Sequence, residues 1–190
     1  MLLFREPIPA GWFRRVLSDL PAVLVDHAHL ERKAATSALN LEKYRMLFDR
    51  VHELNAIAIE ELQHFELVLK LLERRGIPFS EPQPSPWIKG LMREVRGGIQ
   101  GQVIDHLVVC ALIEGRSCEK FQLLAHKLEV IDPELSAFYQ GLVESEGNHY
   151  ASYLIMARHI DEVETQKRLD WFLDLEAELT RQGNPRIMLH

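Results

Sequence analysis

The sequence has few of the features that define secreted, membrane-spanning or β-rich proteins. Among its 190 residues only two are cysteines, Cys110 and Cys118. On one helix these would stand about 12 Å apart along the axis. That is too far for a disulfide, so we expect two reduced thiols. The longest uncharged apolar run, residues 107–113, is far too short to span a bilayer. No segment alternates apolar and polar residues with a period of two, and we therefore expect almost no β-sheet.

We also expect no targeting signal in the N-terminal residues. Residues 1–11 include Arg5 and Glu6 and contain neither a long apolar stretch nor a signal-peptide cleavage site. Apolar residues make up 47% and charged residues 26% of the chain, which is typical of globular proteins and indicates neither disorder nor a membrane protein. We therefore expect one domain of residues 1–190, located in the cytoplasm and without membrane association.

An excess of positive charge is missing as well. The formal net charge is −6, which argues against non-specific coating of nucleic acid, because phosphate binding relies on Lys and Arg. A solvated surface is the simpler interpretation of the short basic stretches, and a local basic patch stays open. These stretches are Arg14-Arg15, Arg32-Lys33, Arg74-Arg75 and the set Lys89, Arg93 and Arg96.

Glycine and proline are concentrated in residues 76–101, and the long segments on either side predict helices. Pro21 and the Asp132-Pro133 pair are start signals, and Gly76 is a stop signal. The predicted helices cover about residues 21–44, 49–75, 102–129, 133–160 and 162–181. The last of them is expected to pack on the outside of the others. A short helix over residues 87–95 is expected within the connection between the second and third.

That connection, residues 77–101, is unusually long for a compact domain unless it has a task. It holds four prolines and four glycines: Pro78, Pro82, Pro84, Pro86, Gly90, Gly97, Gly98 and Gly101. A four-helix bundle whose second and third helices run parallel needs one such connection. The sequence therefore predicts an all-α fold, a ferritin-like four-helix bundle with one long crossover and extra flanking helices.

Six residues form a repeated pattern, in which a lone glutamate precedes a Glu-x-x-His unit by about 30 residues. They are Glu31, Glu61 and His64 in the first repeat, and Glu114, Glu146 and His149 in the second. Residues three apart lie on one face of a helix. Four Glu and two His in this order match the ligands of a carboxylate-bridged two-metal site in a helical bundle. Carboxylates and imidazoles without thiolates favour iron or manganese over structural zinc.

The spacing of the pattern agrees with the predicted hairpins. Residues on two antiparallel helices lie at the same height only when they are about equally far from the turn. The halfway point between Glu114 and Glu146 is residue 130, beside the predicted break, and that between Glu31 and Glu61 is residue 46, within the other predicted turn. One Glu-x-x-His alone means little, since 20 Glu and 9 His produce about one by chance. The joint arrangement therefore carries the prediction.

The segments around these positions resemble the tRNA 2-methylthio-N6-isopentenyladenosine hydroxylases, the MiaE-type family. The resemblance extends from about residue 12 to the C-terminus. It rests on residues 26–35, 60–65, 112–121 and 144–150. Two positions depart from the family: Ala usually stands where this chain has Gly115, and the family's C-terminal Arg-x-His-Ser-Gly run is only loosely matched by residues 186–190.

The resemblance implies a non-haem di-iron monooxygenase that hydroxylates the isopentenyl side chain of a modified adenosine next to the tRNA anticodon. Dioxygen would be the co-substrate, tRNA the substrate, and a reductase or ferredoxin-type protein the donor of two electrons. The implied ligands of the two iron ions are Glu31, Glu61, His64, Glu114, Glu146 and His149.

Two alternatives remain open from the residues themselves. One is another ferritin-like di-iron or di-manganese oxidoreductase, active in iron oxidation, peroxide reduction or hydroxylation of a small molecule. The other is a non-catalytic bundle that binds tRNA or protein and whose Glu and His residues pair with Arg.

Helical phase also predicts roles for residues close to the pattern. His27, one turn before Glu31, either donates a hydrogen bond to that ligand or stabilises the bundle end. Glu119 lies about 140° around the helix from Glu114, so we expect it in an ion pair and not as a ligand. Tyr153 is expected to pack in the core or to approach the site as a hydrogen-bond partner or electron relay.

Cationic side chains beside the pattern are expected in ion pairs for the most part, although contacts with tRNA phosphates are an alternative. These cations are Arg32, Lys33, Arg116 and Lys120, and their expected partners are Asp26, Asp105 and Glu119.

Overall fold

The structure is a computed structural model that describes residues 4–190. Over this range its regular secondary structure consists of helices, without β-strands. The helices are α1 Trp12–Ser18, α2 Leu20–Leu41, α3 Val51–Arg74, α4 Pro86–Arg93, α5 Ile99–Leu128, α6 Pro133–Ile160 and α7 Glu162–Gln182, with a 3-10 helix at Arg45–Arg50. Residues 1–3, the start of the segment considered for targeting, lie outside the described residues. Among the helices of residues 4–190, none has the length and apolar character that crossing a membrane requires.

The predicted helices agree with the observed ones. Helices α2, α3, α5, α6 and α7 match the five long predicted segments to within three residues at every end, and α4 matches the short one to within two. Helix α1 and the 3-10 helix were not predicted. Helix α1 is only seven residues long and buries one side chain, Val16, so its sequence carries little periodicity.

By the contacts between its residues, the chain divides into two compact units. The hairpin unit consists of residues 14–89 and 184–190, and the α5–α7 unit consists of the chain up to Phe13 and residues 90–183. The single domain predicted for residues 1–190 stays a prediction.

In the hairpin unit, α2 packs against α3. At the start of helix α2, Pro21 occupies the first turn, as predicted, and the side chain of Asp19 accepts a hydrogen bond from the Ala22 amide at 3.2 Å. The turn between α2 and α3 contains no Gly or Pro. It is formed by the 3-10 helix, whose Leu47 is only 1% exposed and anchors the turn in the core.

The C-terminal residues fold back onto the same unit. The Leu189 amide donates to Oδ2 of Asp26 at 2.9 Å, and Ser85 Oγ donates to the carbonyl of His190 at 3.1 Å. The rings of Trp87 and His190 stack with their centroids 5.2 Å apart. The C-terminal tail, residues 184–190, is therefore packed against the rest of the hairpin unit. Asp26, which we expected to pair with a cation, here accepts a hydrogen bond from a backbone amide.

In the α5–α7 unit, α5 packs against α6, and α7 packs against both. Helix α6 begins at the predicted Asp132-Pro133 signal, with the Leu135 amide donating to Oδ1 of Asp132 at 3.1 Å. Helix α7 buries one face, which includes Leu169, Phe172 and Leu173. This one-sided burial agrees with the prediction that the last helix packs on the outside of other helices.

A buried ion pair ties α5 to α7. The side chain of Arg116 is 2% exposed and that of Glu176 is fully buried, and two N–H groups of Arg116 donate to the two carboxylate oxygens of Glu176, each at 2.7 Å. Arg116 also donates to Oε2 of Glu119 at 2.7 Å. The predicted ion pair of Glu119 is therefore confirmed, whereas Glu176 was missing from the predicted partners. Two-point contacts of this kind fix the geometry of both side chains.

Gly115 makes room for two aromatic rings. A Cβ atom added at this position would lie 2.9 Å from Cδ2 of Tyr150 and 3.1 Å from the ring of Phe4. The guanidinium carbon of Arg116 lies 3.9 Å from the centroid of the Phe4 ring. The Phe4 and Tyr150 rings thus lie where an Ala methyl group would project, which is a steric reason for glycine at this position.

Candidate metal centre

The hairpin unit brings together the three residues of the first repeat. Glu61 and His64 lie one turn apart on α3, and Glu31 lies on α2. Each offers a ligand atom within 4.8 Å of those of the other two. His64 Nδ1 is 3.5 Å from Oε2 of Glu31 and 3.8 Å from Oε2 of Glu61. All three side chains are buried. Glu31 and Glu61 therefore lie at the same height on the two helices, as their equal distances from the predicted turn indicated.

The ionisable groups in this set of three, here called the first triad, shift one another's pKa. Burial raises the pKa of Glu31, but the charge and hydrogen bond of His27 and the hydrogen bond of His64 outweigh it and hold that pKa well below its usual range. For His64, burial lowers the pKa, but hydrogen bonds with Glu31 and Glu61 raise it to about 10. Without metal, the proton on His64 therefore supplies the positive charge that the two carboxylates require.

The α5–α7 unit brings together the three residues of the second repeat, here called the second triad. Glu114 lies on α5, and Glu146 and His149 lie one turn apart on α6. Their ligand atoms also lie within 4.8 Å of one another, and all three side chains are buried. The halfway point at residue 130 predicted this pairing of Glu114 with Glu146.

The cysteines are not part of either triad, and both are free thiols, as expected. Cys110 is half-buried, four residues before Glu114; burial and the charge of Glu114 raise the pKa of its thiol. Cys118 is buried, and its Sγ donates to the carbonyl of Val143 at 3.5 Å. Such neutral thiols behave as small apolar side chains. Tyr153, also in this unit, is fully buried, like the residues of the second triad, so both interpretations of its role stay predictions.

The chemistry of the donors fits a metal ion in each triad. Two carboxylates and one imidazole form each group, and their net negative charge is expensive to bury unless a cation or protons offset it. Oxygen and nitrogen donors without sulfur suit iron or manganese. The two triads are therefore candidate metal-binding groups.

Residues outside the sequence pattern form a cavity of about 350 Å³ in the hairpin unit. Its walls come from the start of α2, the segment after α3 and the C-terminal tail. They include Val25, Asp26, His29, Pro78, Ser80 and Met188. The sequence did not predict this cavity; the prolines after residue 77 were the only local signal of an irregular segment there.

A comparison with solved structures defines the class of the fold. The chain matches "Protein 43 with aldehyde deformylating oxygenase activity" from Synechococcus with a TM-score of 0.87 and 32% identity, over 98% of this chain and 94% of that chain. The predicted class, an all-α ferritin-like fold, is thereby confirmed.

Sequence comparisons define the family. The family model described as tRNA-(MS[2]IO[6]A)-hydroxylase (MiaE) matches residues 2–190, and this protein belongs to that family. It is 38% identical to the tRNA 2-(methylsulfanyl)-N(6)-isopentenyladenosine(37) hydroxylase of Pseudomonas putida over 97% of this chain and 89% of that protein. The Salmonella typhimurium hydroxylase of the same name is 35% identical over 77% of this chain and 52% of that protein. The resemblance noted in the sequence is confirmed.

Proposed function

We propose that this protein hydroxylates the isopentenyl side chain of 2-methylthio-N6-isopentenyladenosine next to the anticodon of tRNA. The observation that carries the proposal is a match over residues 2–190 to a family of tRNA hydroxylases, in a chain that buries two Glu-Glu-His triads. Acid–base chemistry by side chains cannot oxidise a carbon–hydrogen bond of a prenyl group. A metal centre is therefore the expected oxidant.

The two triads are proposed to serve one centre with two iron ions. The ligands would be Glu31, Glu61, His64, Glu114, Glu146 and His149. Three features support this: the equal composition of the triads, their repeat at an interval of about 84 residues, and the ferritin-like fold, in which facing helices supply such ligand sets. When bound, the two irons would supply the electron transfer to dioxygen that hydroxylation needs.

Side chains of this protein prepare the first triad for that task. His27 Nε2 lies 2.5 Å from Oε1 of Glu31 and fixes the orientation of the carboxylate, while Oε2 is the oxygen close to His64. His64 has to release its proton before its Nδ1 can bind a metal, so we expect iron loading near neutral pH to release protons. Burial of the three ligands excludes bulk water from them.

The proposed reaction consumes one dioxygen molecule, two electrons and two protons. One oxygen atom enters a carbon–hydrogen bond of the prenyl group, and the other leaves as water. The electrons are proposed to come from a reductase or a ferredoxin-type protein.

The test is a single-turnover assay. Reduced, iron-loaded protein is mixed with isopentenylated tRNA and ¹⁸O-labelled dioxygen, and the nucleosides are analysed by mass. We expect one labelled oxygen atom on the prenylated adenosine, and no product with Glu61→Gln or Glu146→Gln. Iron-loaded, fully reduced wild-type protein that leaves the nucleoside unchanged would contradict the proposal.

A second candidate, oxidation of a small molecule, is favoured by one observation: the Synechococcus structure matched here bears the name of an aldehyde deformylating oxygenase. Replacing the tRNA with a long-chain aldehyde in the same assay separates the two. Consumption of the aldehyde without any reaction on tRNA would favour this alternative.

A further inference from the structure

An exposed aromatic ring stands in the segment that follows α3. Phe79 is 43% exposed, although a side chain of its kind is usually buried. Its ring centroid lies 4.5 Å from that of His29 and 5.9 Å from that of Phe65. These two rings support Phe79 from within the hairpin unit and leave a large part of its surface open to solvent.

A cationic plane lies beside the same ring. The guanidinium carbon of the exposed Arg32 is 6.0 Å from the centroid of Phe79 and 5.9 Å from that of Phe65, within the range of cation–π attraction. Arg32 also contacts His29 Nδ1 at 3.1 Å, and His29 Nε2 contacts the carbonyl of Ser80 at 2.7 Å.

These contacts fix the tautomer of His29. Arginine can only donate and a carbonyl oxygen can only accept, so Nδ1 of His29 is the acceptor and Nε2 carries the proton. His29 is 2% exposed and is held at both ring nitrogens. It therefore forms a rigid support that holds Phe79 through its ring and the neighbouring Ser80 through its backbone.

The cluster borders the first triad. Arg32 directly follows Glu31, and Phe65 directly follows His64. Adjacent Cα atoms are about 3.8 Å apart, so Arg32 and the half-buried Phe65 stand on the backbone that carries two buried candidate ligands, and the Phe79 ring contacts Phe65. A molecule that rests on Phe79 and Arg32 would thus be held close to that triad.

We propose, on the basis of the proposed function, that Phe79 and Arg32 form a stacking platform for an unpaired base of the RNA substrate. Single-stranded RNA is typically recognised by stacking of its bases on aromatic rings and on arginine planes. The modified adenosine lies next to the anticodon, so unpaired loop nucleotides flank it. The platform would hold one of these neighbours.

The charge of the protein makes such a contact especially important. With a formal net charge of −6, the protein as a whole repels RNA, and only local cations attract phosphates. Stacking depends little on salt, whereas each phosphate contact adds to the salt dependence of binding. The platform therefore predicts a component of RNA affinity that persists at high salt.

The test uses an anticodon stem-loop RNA with the isopentenylated adenosine, bound to iron-loaded, unreduced protein and followed by fluorescence anisotropy at several salt concentrations. Phe79→Ala and Phe79→Leu should weaken binding roughly ten-fold, because each removes the aromatic face on which a base would stack. The slope of affinity against salt should stay unchanged. Phe79→Trp should restore affinity, and its indole fluorescence should be quenched on binding.

The matched control is Phe48→Ala, which removes another exposed aromatic ring of the same unit, 61% exposed, and should leave affinity unchanged. Circular dichroism and Tm check that each variant folds. Wild-type affinity in Phe79→Ala, or equal rescue by Leu and Trp, would overturn the platform, as would the absence of any RNA binding by the wild-type protein.

Parallel hydroxylation assays separate this proposal from the function on which it rests. If wild-type and Phe79→Ala proteins hydroxylate the stem-loop with the same KM, the platform is wrong and the function stands. If binding depends on Phe79 but the wild-type protein forms no product, the platform stands and the function fails.

Discussion

His27 and Glu31 are joined by a short buried contact along α2, with 2.5 Å between Nε2 of His27 and Oε1 of Glu31. The histidine is fully buried and the carboxylate 4% exposed. Residues four apart lie on the same face of a helix, so the contact follows from helix geometry. It gives a proposed metal ligand a fixed orientation before any metal binds.

Replacing His27 with Ala is expected to weaken metal binding at the first triad by about 10- to 100-fold, because partners that orient a ligand contribute this much to affinity. Iron or manganese affinity is measured by competition with a chelator of known strength. His52→Ala, which removes an exposed histidine of the same unit, is the control. Unchanged metal affinity in His27→Ala would show that Glu31 does not need this partner.

Metal-free protein is expected to lose stability as pH rises from 6.5 to 10. His64 has a folded pKa of about 10, raised from an ordinary 6.5, so the folded state keeps a proton that the unfolded state loses in this interval. Stability is therefore full below pH 6.5 and falls until pH 10. Glu31, whose pKa is lowered from 4.5, acts in the opposite sense: its contribution is present above pH 4.5 and is lost in acid.

Urea unfolding of chelator-treated protein at pH 6, 8 and 10 measures this dependence. His64→Gln should flatten the fall between pH 6 and 10, and saturation with metal should flatten it as well, since a bound metal replaces the proton. A fall of the same size in His64→Gln would assign the pH dependence to other groups.

Arg116→Met is expected to reduce the free energy of unfolding by about 3–5 kcal/mol, because it leaves the buried charge of Glu176 without this partner. The double variant Arg116→Met/Glu176→Leu should recover most of the loss, since both charges of this buried pair are then removed. Chemical denaturation measures both. Lys70→Met, which breaks an exposed ion pair with Glu66, should change stability by less than about 1 kcal/mol. A double variant no more stable than Arg116→Met would refute the explanation.

Asp105→Asn is expected to cost about 2–4 kcal/mol of stability. Asp105 is fully buried and accepts hydrogen bonds from Arg96 and Arg168, at distances from 2.8 to 3.0 Å. Burial raises the pKa of its carboxyl, but these bonds outweigh burial and lower it below the ordinary 3.8.

The difference between wild-type and Asp105→Asn stability should therefore hold above pH 4 and shrink in stronger acid, as the folded carboxyl takes up a proton. Denaturation at pH 7 and at pH 3 tests this. Asp170→Asn, at an exposed partner of Arg5, is the matched control and should cost less than about 1 kcal/mol. An equal cost for both substitutions would show that burial of Asp105 adds nothing.

Several parts of the fold were predictable because short-range rules decide them. Asp132 and Pro133 start α6, and the halfway points between paired glutamates located both turns. The turn after α2 shows the limit of such rules. It contains no Gly or Pro, and its shape depends on burial of Leu47 in the core, which no local pattern reveals.

Ion pairs also divide into those that local spacing predicts and those that depend on tertiary packing. The contact between Arg116 and Glu119 follows from their spacing of three residues, and it was predicted. The contact between Arg116 and Glu176 spans 60 residues and depends on how α7 packs against α5. Likewise, Asp105 contacts Arg96 and Arg168 and Asp26 contacts the Leu189 amide, partners that the sequence did not predict.

The sequence by itself determined the helical class and the composition of the two triads, because helix periodicity and ligand spacing are local properties. The family followed from the resemblance of the segments around the triad residues. Only the tertiary structure decided which side chains support the ligands and which remain exposed. His29 became a buried support and Phe79 an exposed ring because the segment after α3 folds back onto α2, and contacts so distant in sequence depend on packing rather than on local preference.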